Sequence, residues 1–287
     1  ASIGAIWSSS SPDFGIKGVL DRFTQIEPKV LFAANGYYYN GKKFDSLEKL
    51  NSILDQLPSV DHVVVTPYTD SNHNISSVKN GILWDNFIDS NPSPLKFEQL
   101  PFQHPLYIMY SSGTTGLPKS IVHGAGGTLI QHLKELRLHC NIYPEDTIFY
   151  FTTCGWMMWN WLVSNLAIGA AIVLYDGSPL QPNSNAMWDM VDELGITHFG
   201  TSAKYIDACR QEGLSPIKTH SLESMRTIFS TGSPLVEESF DYVYNQIKKE
   251  IQLASISGGT DIISCFAGGN PTLPVYRGEL QSITLGM

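Results

Sequence analysis

The chain has 287 residues, with 18 basic against 27 acidic side chains, a formal net charge of −9 and 43 % apolar residues. That length holds one large domain or two modest ones, and an apolar content this high without low-complexity tracts excludes a disordered chain. The acidic balance excludes a binder of nucleic acid or of an anionic membrane surface, because counterion release needs clustered Lys and Arg.

In chain order, Ala5-Ile6-Trp7 reads as a strand, and Val19, Leu20, Phe23 and Ile26 fall on one helical face. Residues 30–33 form a second strand, and Leu47, Leu50, Leu54 and Leu57 mark an amphipathic helix leading into a strand at 62–65. Such alternation predicts an α/β protein with mostly parallel sheets flanked by helices. A short helix is expected around 82–88, followed by an arm carrying Pro92, Pro94, Pro101 and Pro105. The arm is expected to join two α/β lobes, 1–105 and 106–287.

The second lobe opens with a strand at 106–110 and a helix whose inner face is read from Leu129, Ile130, Leu133 and Leu136. Residues 147–175 carry no charge. A membrane span needs about 20 predominantly apolar residues, and Asn160, Ser164, Asn165 and Gly169 interrupt this run. It therefore reads as a helix followed by a buried strand at 170–175, with no span expected. Met187, Met190, Val191 and Leu194 define a helix stopped by Gly195, residues 226–230 a strand, Phe240, Val243, Tyr244 and Ile247 a helix, and residues 251–255 a last strand.

Cys140, Cys154, Cys209 and Cys265 lie far apart without a CxxC, so four buried, reduced thiols are expected. His132 and His139, seven apart, read as a surface stripe on a helix and not as a metal pair. No HExxH occurs.

The strongest chemical signal is Ser111-Ser112-Gly113-Thr114-Thr115-Gly116-Leu117-Pro118-Lys119, which follows one apolar strand and precedes another. Glycines let backbone N–H groups turn toward one centre, four hydroxyls add rotatable donors, and Lys119 brings a point charge, a set suited to polyphosphate. Leu117-Pro118 before the lysine excludes a Walker loop, and neither a GxGxxG opening a helix nor a GxSxG elbow is present.

This loop resembles the signature segment of the adenylate-forming superfamily, which includes acyl-CoA synthetases, luciferases and nonribosomal peptide adenylation domains. Two later segments agree in order: Thr231-Gly232-Ser233-Pro234-Leu235 resembles the turn packed on adenine, and Ser257-Gly258-Gly259-Thr260-Asp261 the segment that meets the α-phosphate and magnesium. Ile6-Trp7-Ser8-Ser9, Gly155-Trp156-Met157-Met158-Trp159-Asn160-Trp161 and residues 255–266 narrow the likeness to the branch that activates acetoacetate.

The resemblance implies the superfamily's large domain, cut before the small C-terminal domain that carries a catalytic lysine, so a fragment inactive alone is expected. It also implies a cytosolic protein using ATP, Mg²⁺ and coenzyme A, with small-molecule partners only and no indication of oligomeric state. Ser111, Ser112, Gly113, Thr114, Thr115, Gly116 and Lys119 are expected on the ATP phosphates. Gly232, Ser233, Pro234, Ser257, Gly258, Gly259 and Thr260 are expected around AMP, Thr260 and Lys119 acting on phosphate and Asp261 holding the metal. The superfamily's usual acid at the last position is Glu, so Asp261 is one methylene short, and a structural N-cap is the competing reading. Trp156, Met157, Met158 and Gly258 are expected at the acyl end, where Gly258 replaces the Trp of acetyl-specific relatives and leaves room for a longer acid. A ligase for another short or medium acid, and a non-catalytic ATP- or AMP-binding module, are the alternatives.

Overall fold

The computed structural model describes residues 1–70, 74–111 and 116–287. The chain falls into two units, Ala1–Ala125 and Gly126–Met287.

In the first unit, β1 (Trp7–Ser8) precedes α1 (Gly15–Phe23), whose inward positions Ile16, Val19, Leu20 and Phe23 meet the core. β2 (Val30–Ala34) is followed by the hairpin β3 (Gly36–Tyr39) and β4 (Lys42–Asp45). Asn40 and Gly41 turn that hairpin, both at positive φ (52° and 71°), the backbone an Asn-Gly pair adopts at lowest cost. Next come α2 (Leu47–Leu54), β5 (His62–Thr66), β6 (Gly81–Leu83) and the single turn α3 (Trp84–Phe87). The helix expected over 82–88 is thus a strand end plus one turn. β2, β5 and β6 form a parallel sheet in that order, with Leu50, Leu54, Val63, Val65 and Phe23 in its core.

β7 (Pro105–Ser111) pairs in parallel with β1 and antiparallel with β8 (Lys119–Gly124), bringing Ser111 opposite Lys119. The pairing to β1 groups residues 106–125 with the first unit, whereas the sequence reading divides the chain after 105.

The second unit begins with α4 (Ala125–Lys134), extended by a wider turn over Glu135–His139. It continues with β9 (Thr147–Tyr150), α5 (Met157–Ser164), β10 (Ala171–Val173), α6 (Ala186–Leu194), β11 (His198–Ser202), α7 (Ala203–Gln211) and α8 (Pro216–Thr219). β12 (Thr227–Thr231), α9 (Glu237–Tyr242), β13 (Gln252–Ser255), β14 (Ser257–Gly259), β15 (Ser264–Gly268) and β16 (Ser282–Ile283) complete it. Five strands make a fully parallel sheet, β10-β9-β11-β12-β13. Phe149, Phe199, Ile228 and Leu253 stand in register on one face and pack on α6, α7 and α9. Their neighbours Tyr150, Phe229 and Ala254 stand on the other, against Trp161 and Leu162 of α5 and Leu136. Burial on both faces is what all-parallel sheets require.

Four sequence expectations are corrected here. Leu129 and Ile130 of α4 are exposed, and the buried face is Thr128, His132, Glu135, Leu136 and His139. His132 and His139 are therefore core residues and not a surface stripe. His139 donates from Nδ1 to Gly269 O at 2.9 Å and accepts Leu285 N–H at Nε2, 3.0 Å. His132 Nε2 lies 2.9 Å from Ile263 O. Cys140, Cys209 and Cys265 are buried but Cys154 is only half-buried. The strand expected at 170–175 is short and sits at the sheet edge, with Ala171 exposed. No helix among the described residues is long and apolar enough to cross a membrane.

Buried His198 opens β11, stacked on Phe229 at 5.9 Å, with Nε2 donating to Cys140 O at 3.1 Å. Desolvation pushes its pKa down to about 4, against the opposing pull of Asp146. Because the folded value lies below the unfolded one, its contribution is complete above about pH 6.5 and is lost as pH falls toward 4. Denaturant titrations should show about 2 kcal/mol lost between pH 7 and pH 5 in the native chain, and that slope missing in His198→Gln.

Candidate functional site

Parallel α/β sheets present ligand sites beyond the carboxyl ends of their strands, and three such ends in the second unit border one cavity of ≈ 620 Å³. After β12, Thr231 leads into Gly232, whose φ of 90° a side chain would strain, then Ser233 and Pro234. After β13, Ser255 and Ile256 lead into β14 and Thr260. The two ends are tied together: Ile256 N–H donates to Ser230 O at 2.8 Å, and Thr231 Oγ1 donates to Ile256 O at 3.0 Å. Beyond β9, Trp156 and the first residues of α5, Met157 and Met158, complete the wall. Met157 and Met158 also pack on the core beneath the sheet, so their thioethers serve both surfaces.

The adenine-turn, α-phosphate and acyl-end residues expected from sequence, namely Gly232, Ser233, Pro234, Ser257, Gly258, Gly259, Thr260, Trp156, Met157 and Met158, all line this one cavity. Asp261 follows Thr260 in a short 3₁₀ turn whose N-cap is Gly259, so Asp261 does not cap it. The turn ends at Ile263 with φ 48°, a strained conformation for a β-branched residue, and the carbonyl of Ile263 is the one His132 contacts. Lys119 is exposed at the start of β8 in the first unit, with Ser111 opposite it. Ser112, Gly113, Thr114 and Thr115 lie outside the described residues.

Gly258 meets a second demand. It pairs with Cys265 across the β14–β15 ladder at a register shift. A Cβ built on it would lie 2.6 Å from Cys265 Cα, and closer still to Ser264 O. The missing side chain lets two strands approach, in addition to any room it leaves in the cavity.

Sequence reasoning missed Glu135, Ser264 and Cys265, which also line the cavity. The signal was a polar one: positions 128, 132, 135 and 139 recur at helical spacing, and an apolar-only search assigns that face outward. Glu135 is buried and accepts hydrogen bonds from Trp161 Nε1 (2.9 Å), Ser264 Oγ (2.7 Å), Cys265 N (3.4 Å) and Gln131 Nε2 (3.3 Å). Desolvation raises the Cys265 thiol, and the Glu135 charge adds to that.

Among the described residues no cluster of three or more His, Cys, Asp or Glu could hold a metal. A single carboxylate still suits Mg²⁺, which keeps several waters and takes phosphate oxygens. Asp261 is exposed and bears no ion pair among the described residues, so it fits that part.

The family model for AMP-binding enzymes matches residues 1–278, and the chain belongs to that family. Acetoacetyl-CoA synthetase of Gallus gallus is 58 % identical to it over the whole chain. The solved structure of acetoacetyl-CoA synthetase from Streptomyces lividans superposes with a TM-score of 0.93 at 45 % identity, again over the whole chain. Malonamoyl-CoA synthetase of Penicillium aethiopicum is 46 % identical. The chain spans 43–44 % of the length of these relatives.

Proposed function

We propose that the protein carrying this chain is an acetoacetate–CoA ligase, joining acetoacetate to coenzyme A through an acyl-adenylate, with AMP and pyrophosphate as products. The observation that carries this reading is the single cavity lined by Gly232, Ser233 and Pro234, by Thr260, and by Trp156, Met157 and Met158. The names of the relatives add the acid. Acetoacetate and malonamate are both three-atom chains from carboxylate to β-carbonyl, ending in a methyl group or an amide.

In this reading Gly232, Ser233 and Pro234 cradle the adenine, and Thr260 donates to the α-phosphate, where negative charge grows as the acid attacks. Lys119, Ser111 and Gly116, with the neighbouring hydroxyls of the loop, neutralise the departing pyrophosphate. Asp261 would hold Mg²⁺, which when bound supplies charge neutralisation at the phosphate oxygens. Trp156, Met157 and Met158 enclose the acyl chain, the thioethers adapting to a small keto acid. Coenzyme A thiol attack on the mixed anhydride then needs no nucleophile from the protein.

The test is pyrophosphate release by the full-length protein with acetoacetate and with butyrate, which has the same number of carbons but no ketone. Release should be at least about tenfold faster (kcat/KM) with acetoacetate, the size of effect a recognised polar group gives. Equal rates would make it a general short-acid ligase. ATP binding with no acid-dependent release would make it a non-catalytic nucleotide module.

A further inference from the structure

The cavity wall holds two carboxylates that the reaction does not use, exposed Glu279 and buried Glu135, and only the second is fixed among protein donors. Glu135 stands on the buried face of the α4 extension and lines the cavity together with Met158, Gly258 and Cys265. All four of its contacts described above come from donors, namely an indole N–H, a hydroxyl, a backbone N–H and an amide, the surroundings of an ionised, acceptor-only carboxylate. No Lys, Arg or His forms an ion pair with it among the described residues. Glu135 thus lines the cavity with no ion-pair partner among the described residues. The backbone N–H that it holds belongs to Cys265, the residue paired with Gly258.

Resting on the ligase reading above, we propose that Glu135 is a specificity-determining residue: its buried carboxylate rejects acids whose far end carries a second negative charge and leaves neutral-ended β-carbonyl acids unaffected. Acetoacetate, malonamate and malonate are almost the same size, and of the three only malonate is a dianion. Steric fit cannot separate them. A fixed like charge on a buried side chain of the wall can, because Coulomb repulsion near a protein surface is several times stronger than in bulk water. The hydrogen bonds from Trp161, Ser264 and Cys265 keep the carboxylate in place, so it cannot swing away when a dianion enters.

The experiment measures pyrophosphate release by the full-length protein with all three acids, in the native protein and in Glu135→Gln and Glu135→Asp. The native protein should prefer acetoacetate and malonamate to malonate by about 100-fold in kcat/KM. Glu135→Gln removes the charge, keeps an oxygen to accept from Trp161, and should raise the malonate-to-acetoacetate ratio by at least about tenfold. Glu135→Asp keeps the charge and should keep the rejection even where overall activity falls. A Glu135→Gln protein with native circular dichroism and an unchanged ratio overturns the proposal, because a purely structural role would lower all three rates together. Should Glu135→Gln fail to fold, the other two proteins and Glu279→Gln decide: malonate used by the native protein within about threefold of malonamate overturns the idea, as does rejection lost in Glu279→Gln, whereas strong rejection retained in both Glu135→Asp and Glu279→Gln upholds it. Failure of the ligase reading looks different, since then no neutral acid of this length drives release.

Discussion

Gly258→Ala should cost about 3 kcal/mol of stability and lower kcat/KM for every acid by about 100-fold, since backbone displacements near 1 Å at a site have that effect. The reason lies in the ladder. The new methyl would meet backbone atoms of Ser264 and Cys265, which cannot rotate away as a flexible side chain would. β15 would have to move, and with it the Cys265 N–H held by Glu135 and the Thr260 turn that follows β14. Gly258→Trp separates this account from one based on pocket width alone. If the glycine only leaves room, the tryptophan variant should fold with native stability and turn to acids of two or three carbons. If it permits strand approach, the variant should melt earlier and lose activity with short and long acids alike, which thermal unfolding and pyrophosphate release together would show.

That position also shows what the sequence could and could not carry. The segments at 111–119, 231–235 and 257–261 stood out because their chemistry is local: runs of Gly, Ser, Thr and Pro directly after apolar strands have few uses other than turning backbone and hydroxyls toward one centre. Helices α1, α2, α6 and α9 were legible from apolar spacing, and Gly195 does end α6 in the left-handed conformation. The face of α4 was not, because what it buries is polar and is satisfied by partners 100 or more residues away, such as Ile263 O and Gly269 O. Glu135 was hidden for the same reason. The β3–β4 hairpin had a readable signal in Asn40-Gly41 that strand-and-helix alternation passed over. Strand β11 had almost none: Thr197-His198-Phe199-Gly200-Thr201-Ser202 is neither an apolar run nor a clean alternation, yet it lies at the centre of the five-stranded sheet.

Gly200 explains why so weak a sequence makes a central strand, and it carries the second large expected effect. Gly200 is in register with Tyr150 on one side and Phe229 on the other. A Cβ there would lie 2.5 Å from Tyr150 Cγ, and other ring atoms would be nearer. The ring occupies the space a side chain of β11 would otherwise fill, and it cannot retreat. It packs edge-on against Trp161 at 5.8 Å, and its hydroxyl donates to Thr201 O at 3.2 Å. Gly200→Ala is therefore expected to cost about 3 kcal/mol or more, at the upper end of overpacking changes. Urea unfolding should show it as a lower midpoint with an unchanged slope. The cause is testable by a double-mutant cycle with Tyr150→Leu, which removes the ring but leaves an apolar side chain. Each single substitution should destabilise, and the pair should cost at least about 1 kcal/mol less than their sum, because contacting residues couple. Strict additivity would place the strain elsewhere in β11, and the Tyr150 ring would then be a bystander to the glycine.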